Sequence, residues 1–370
     1  MIALISAMAL AAAPAPPHHY HLDTIRLVSW QASDVVCGSD TVKPVRMEVP
    51  AAAIVRGADP AEVAEPVYQF RIDAYGRPLS IRADEASVFY GRISSEDFEP
   101  ALAGSRFPTA QTRASCTVRY VSRQTPLRDA AIAQLLTIPP DGDLSYNEFA
   151  EVLHRPEDTC GTSPTPRNLV YPAFDQLPDL VGHLGGALVR YDVDAAGATT
   201  GIELLGSNGP AEMAPMVLQA VKDSRYAAGA KHGCIAGFRV PGRATLKPPP
   251  IPANDPFLDP KHRCPRDGSR LVHVEDVPFP PPFQRRNIEG WAMIRFDVAT
   301  DGTLENLETV RAEPASEFGD QAKGVLLAGH ADPTPTRLIG CIANIRFALD
   351  DNAPLGVTGG KADNSGGQNR

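Results

Sequence analysis

Leu188-Val-Arg-Tyr-Asp-Val-Asp-Ala-Ala-Gly197 decides the fold. Val189, Tyr191 and Val193 alternate with Arg190 and Asp192, the period of a half-buried strand. Ala195-Ala-Gly197 makes a turn, and Ile202-Glu-Leu-Leu205 returns as a second strand. Gly209-Pro210 then opens a helix, because proline suits the first helical position. Met213, Met216, Val217, Ala220 and Val221 recur at helical spacing and form one apolar stripe. A closing strand begins at Cys234 and runs Ile235-Ala-Gly-Phe-Arg-Val240.

The same order occurs twice more. Ile294-Arg-Phe-Asp-Val298 is a strand, Asp301-Gly302 a turn, and Leu304 to Val310 the return. A helix is expected from near Pro314, with Phe318, Ala322, Val325 and Leu326 facing inward, before Cys341-Ile-Ala-Asn-Ile-Arg-Phe-Ala-Leu349. The first copy is the most eroded. Tyr68, Phe70 and Ile72 precede Tyr75-Gly76, Leu79-Ser-Ile81 follows, and Phe98, Ala101 and Leu102 suggest a short helix. Cys116-Thr-Val-Arg-Tyr-Val121 closes it. This strand is two residues shorter between its cysteine and the arginine shared by all copies (Arg119, Arg239, Arg346). A two-residue change keeps every side chain on its face.

Six cysteines share this register. Cys37 and Cys116, Cys160 and Cys234, and Cys264 and Cys341 lie 79, 74 and 77 residues apart, each pair enclosing a turn glycine. From the many pairings that six cysteines allow, the repeat selects disulfides Cys37-Cys116, Cys160-Cys234 and Cys264-Cys341. In the chain-entropy model, closing a loop of that size removes about 4–5 kcal/mol of unfolded-state freedom. No two cysteines are close enough for a zinc half-site.

The expected class is therefore α+β: three tandem small domains, each a short antiparallel sheet (β-β-α-β) packed against helix and holding one disulfide. The boundaries fall at 22–123, 157–245 and 259–352, with a helical linker at 124–156 and a proline-rich stiff spacer at 246–258. Residues 353–370, rich in Gly, Asn and Ser, read as a disordered tail. Residues 1–13 read as a secretory signal peptide, too short for a membrane span. A periplasmic chain with no transmembrane span after cleavage is expected. The net charge of -9 argues against binding nucleic acid or anionic membranes through bulk electrostatics.

Other motifs are weaker. Thr137 to Glu148 resembles an EF-hand loop through Asp141, Gly142, Asp143, Leu144 and Glu148, but Thr137 and Pro139 stand at two ligand positions. No metal is expected there. His18, His19 and His21 read as a solvated end. The chain has no GxSxG, HExxH or P-loop, so neither an enzyme nor a cofactor is expected. Trp291 and Met293 stand on the polar face of their strand, and burial under Pro280-Pro-Pro-Phe283 is expected.

These copies resemble the C-terminal domain of TonB-family energy transducers. Tyr171-Pro172 and Val277-Pro278 match the start of that family's pattern. Gly186-Ala-Leu-Val-Arg-Tyr-Asp-Val193 and Gly290-Trp-Ala-Met-Ile-Arg-Phe-Asp-Val298 match its glycine and strand. Asp301-Gly302 matches the turn, and Ile345-Arg-Phe347 the end. The resemblance implies a periplasmic domain that binds a short extended peptide of an outer-membrane receptor, or another envelope protein, as an added strand. The peptide-binding edges it implies are Ile235, Ala236, Gly237 and Phe238, and Ile342, Ala343, Asn344, Ile345, Arg346 and Phe347. The copies hold no membrane helix or long proline-rich span of the kind energy transduction uses, so binding alone is carried over. The alternative is a structural or assembly module that self-associates through sheet edges as a homo-oligomer.

Overall fold

Each alternating run forms a strand, and the elements that follow keep the order written in the sequence. The structure is a computed structural model that describes residues 24–57, 62–84, 93–139, 146–160, 164–178, 181–241, 244–258, 260–265 and 268–349. The apolar start at 1–13, His18, His19, His21, Asp141, Asp143 and the tail from 353 lie outside the described residues.

The first unit comprises β1 (Ile25–Ala32), β2 (Val35–Cys37), β3 (Asp40–Val42), β4 (Ala53–Arg56), β5 (Val67–Ile72), β6 (Pro78–Ala83), α1 (Phe98–Gly104) and β7 (Arg113–Pro126). Two short helices follow, α2 (Ile132–Leu135) and α3 (Tyr146–Leu153). The second unit comprises β8 (Pro166–Asn168), β9 (Leu184–Val193), β10 (Thr199–Ser207), α4 (Met213–Asp223), β11 (Arg225–Tyr226) and β12 (Lys231–Pro241). The third comprises β13 (Val272–His273), α5 (Pro281–Arg285), β14 (Gly290–Val298), β15 (Leu304–Glu313), α6 (Ser316–Ala328), β16 (His330–Ala331) and β17 (Leu338–Phe347).

The sheets are antiparallel, ordered β10-β9-β12 in the second unit and β15-β14-β17 in the third. In the first, β5 lies between β6 and β7, and the far side of β7 carries β1 and β2. The fold is thus mixed α+β. Disulfides join Cys37 to Cys116, Cys160 to Cys234 and Cys264 to Cys341.

The turn glycines meet one steric requirement. Gly76, Gly197 and Gly302 have φ of 72°, 90° and 92°. Their carbonyls accept from the N–H of Phe107 (2.9 Å), Tyr226 (2.8 Å) and Ala331 (2.9 Å). A Cβ at any of them would run into the carbonyl oxygen of that same residue. Gly302→Ala adds the left-handed penalty of roughly 1–2 kcal/mol to this backbone clash. Its expected loss of stability is at least about 2 kcal/mol by urea unfolding. A loss below about 0.5 kcal/mol would contradict the geometry.

Two expectations are corrected. The units are not separate bodies joined by spacers. One continuous core joins Val28, Trp30, Phe98, Leu102 and Tyr120 of the first unit to Phe283, Phe318 and Phe347 of the third. The Ile81 N–H donates to the Pro314 carbonyl at 2.9 Å, and the fully buried Glu313 accepts from Arg71 (2.7 Å) and from the Ser80 N–H (2.7 Å). Sheets this small leave apolar area that a neighbour must cover.

The linkers are also packing layers. Leu127, Leu135, Leu136 and Ile138 wedge between Ile25, Leu27 and Ile54 of the first unit and Leu188 of the second. The proline-rich segment covers the third sheet: Ile251, Phe257 and Leu258 pack on Trp291, Met293 and Ile342. Trp291 Nε1 donates to the Pro249 carbonyl at 2.7 Å. Trp291 is therefore buried, but under residues 249–258, while Phe283 belongs to the shared core.

Candidate peptide-binding edge

The strands β7, β12 and β17 begin at Arg113, Lys231 and Leu338, in each case three residues before the second cysteine. Each pairs on its inner side with the strand that precedes its unit's turn glycine: β5, β9 or β14. Alternate residues of an antiparallel strand turn their N–H and C=O outward, and an open edge offers those groups to another chain.

The outward set is fixed by its partners. Thr159 N–H (2.9 Å) and Cys160 N–H (3.0 Å) donate to the His232 carbonyl, and Arg263 N–H donates to the Ile339 carbonyl (2.8 Å). Both strands then shift register, between Lys231 and Cys234 and between Leu338 and Cys341. A one-residue bulge of this kind moves the outward set by one position. Asn344 N–H accordingly points outward and donates to Ser269 Oγ at 2.9 Å. The corresponding outward residues of β12 are Ile235, Gly237 and Arg239.

The three edges have different occupants. Residues 25–37 lie along β7: Cys37 pairs with Cys116, Val36 with Thr117, and Ala32 through Arg26 with Tyr120 through Pro126. Between these strands Ser33 N–H donates to the Arg119 carbonyl at 2.8 Å. The edge of β17 is covered by Gly268 and Ser269. A Cβ on Gly268 would fall 2.6 Å from the Ile342 carbonyl oxygen, so only glycine lets the two backbones touch. Ile342, Ala343, Ile345 and Phe347 are buried, Asn344 is half-buried and Arg346 is exposed.

The edge of β12 differs. Gly237 and Arg239 are exposed, and Ile235, Ala236 and Phe238 are half-buried. Among the described residues, no strand pairs with its outer side. Arg239 Nη1 donates to the Ile138 carbonyl at 2.5 Å, tying β12 to the segment after α2. The side chain of Phe238 lies in the core cluster beneath α4, with its ring 6.5 Å from that of Phe174. Of the two edges read from the sequence, Ile235 to Phe238 is thus the open one. Asn344 already has an internal partner. No local signal separates them, because the covering residues come from elsewhere in the chain.

Other sequence candidates fall away from this edge. Tyr171 is 77% exposed, whereas Val277 is buried. Glu148 is buried, and both its oxygens accept from Arg56 Nη2 at 3.0 Å, tying α3 to β4. Asp141 and Asp143, the other two candidate ligands, are outside the described residues.

The strongest electrostatic feature holds the units together. Arg286, after α5, is buried, with Nε donating to Asp97 Oδ1 at 2.8 Å and Nη2 to Asp97 Oδ2. Its Nη1 donates to the Gly182 carbonyl (2.9 Å) and its Nη2 to the Val49 carbonyl (2.8 Å). One guanidinium therefore joins all three units. Burial pulls its pKa down, but the Asp97 carboxylate outweighs burial and holds it above the ordinary arginine value. A cavity of about 310 Å³ lies beside this junction, lined in part by Trp30, Glu48, His183 and Asn208. His183 spans its wall, from Glu48 Oε2 (2.8 Å) to the Asn208 carbonyl (2.9 Å).

The chain is thus an α+β protein of small, helix-backed antiparallel sheets with three disulfides. Among the described residues no helix is long and apolar enough to cross a membrane. No protein-family model matches it. Among curated proteins it is similar to protein TonB of Escherichia coli (strain K12), 26% identical over 88 residues. That stretch is 24% of this chain and 36% of TonB, so it spans about a third of the relative's length.

Proposed function

We propose that this is a periplasmic TonB-C-terminal-like binding protein, not an enzyme. It takes an extended peptide segment of a cell-envelope or outer-membrane transport protein as an added strand along β12, over Ile235 to Phe238. The observation that carries this reading is internal. On β7, the counterpart of β12, residues 25–37 already lie as antiparallel strands on the same outer side. The β12 edge offers equivalent groups beside an exposed Gly237. Backbone groups give affinity in this mode and need no special side chains. Three disulfides agree with an oxidising compartment, and the likeness to TonB points to the envelope.

Gly237→Pro tests the reading. Proline removes an outward donor and is tolerated on an edge strand whose N–H faces away from the ladder. With a synthetic receptor peptide followed by calorimetry, the variant is expected to bind at least about tenfold more weakly, with unchanged circular dichroism. Equal affinity in the folded variant rejects strand addition at β12. A dimer that grows with concentration in light scattering, without peptide, would instead favour self-pairing of this edge.

A further inference from the structure

Two glutamates, Glu99 and Glu317, come together where the first and third units close on each other. Glu99, on α1, reaches the first turn of α6: Ser316 Oγ donates to its Oε1 at 2.6 Å and the Glu317 N–H to its Oε2 at 3.0 Å. Ala315, which precedes α6, has no capping side chain, so Glu99 caps that helix from another unit. The residue whose N–H it binds carries the second carboxylate.

The surroundings add negative charge. Just before α1, Asp97 is engaged by Arg286 and Glu96 by Arg285. From α6, Asp320 pairs with Lys323 at 2.8 Å. From β5 comes Tyr68, a phenol that burial and the Glu99 charge push up, so it stays neutral. These arginines and this lysine are thus spent on Glu96, Asp97 and Asp320 rather than on Glu99 and Glu317.

We propose that this seam is a proton-operated clasp: it is closed with a proton on the Glu99–Glu317 pair and loosens when both carboxylates ionise. Burial pushes Glu99 up to about 7, against the two hydrogen bonds that pull it down. Burial, followed by the Glu99 charge, pushes Glu317 up to about 8. Both lie above the ordinary 4.5, so across this interval the folded chain holds protons that the unfolded chain has lost. Stability is fully present below about 4.5 and falls as pH rises towards 8. The loosened element is the contact that precedes α6, where Ile81 N–H meets the Pro314 carbonyl.

Hydrogen exchange and thermal melting at pH 6.0 and 8.5 test the clasp. The melting temperature is expected to fall by about 5 °C across this range. Protection of the Ile81 amide, corrected for intrinsic exchange, is expected to fall with it. Glu317→Gln should flatten both responses. Glu99→Gln, which keeps an acceptor oxygen for Ser316, should do the same if the first variant folds poorly. An unchanged pH slope in both variants overturns the proposal. So does Ile81 protection that stays constant while the melting temperature moves.

Discussion

Asp97→Ala is expected to destabilise the protein by about 3–5 kcal/mol. Removing the carboxylate takes away the bidentate partner of the Arg286 guanidinium inside the junction of three units, leaving the carbonyls of Gly182 and Val49 and the more distant Glu48 carboxylate at 3.7 Å. Asp97 Oδ2 also accepts from the Ala51 N–H at 2.7 Å, so a second buried donor is stranded. Denaturant unfolding followed by tryptophan fluorescence reports this directly, because Trp30 lies in the shared core beside Phe98. Arg286→Met strands the opposite charge, the fully buried Asp97 carboxylate, and should destabilise by a similar amount. Small effects from both variants would show that the pair does not hold the units together.

Removing the disulfides is expected to have a comparable effect. Each closes a loop of 74 to 79 residues, and each loop constrains the unfolded chain by about 4–5 kcal/mol in the chain-entropy model. The three are not equivalent. Cys37, Cys116 and Cys341 lie in the core shared by the first and third units, whereas Cys234 lies in the second unit's own core with Tyr191 and Val217. Cys160→Ala/Cys234→Ala should therefore lower the transition of the second unit and leave the shared core folded, giving two steps in calorimetry. Cys264→Ala/Cys341→Ala should lower the shared core instead. Indistinguishable single transitions in both variants would contradict the division of the cores.

Much of this fold was legible because it is written locally. Alternation at Val189, Tyr191 and Val193, the glycines at 76, 197 and 302, and the stripe from Met213 to Val221 each use one element's own period. The strand, the turns and the stripe are found in place. However, β9 is buried on both faces from Gly185 to Tyr191, with Arg190 held by Asp158 rather than facing solvent. The repeat also selected the three disulfides that form. What was not legible is what depends on distant neighbours. The strand Ile25–Ala32 has no strict alternation, since four consecutive residues, Leu27 to Trp30, are buried between its neighbours. Residues 124–156 read as a helical linker and 246–258 as a proline-rich spacer because neither carries the strand-turn-strand pattern of the copies. Their apolar side chains matter only once Leu188, Trp291 and Met293 are seen to need a cover.

The candidate edge divides in the same way. Ile235 to Phe238 and Ile342 to Phe347 are equivalent in sequence register. Only the placement of Gly268 and Ser269 along β17 leaves the first of them open. The disulfide at Cys160 and Cys234 pins the start of β12, so an added strand would meet a fixed edge with little ordering cost.

Amide exchange of the full chain, with and without a saturating receptor peptide, tests the central claim most directly. The account predicts new protection at Ile235 and Gly237, whose N–H groups face outward from β12, with Asn344 and the residues of β7 unchanged. Protection that appears elsewhere while Ile235 and Gly237 stay as they were would contradict it.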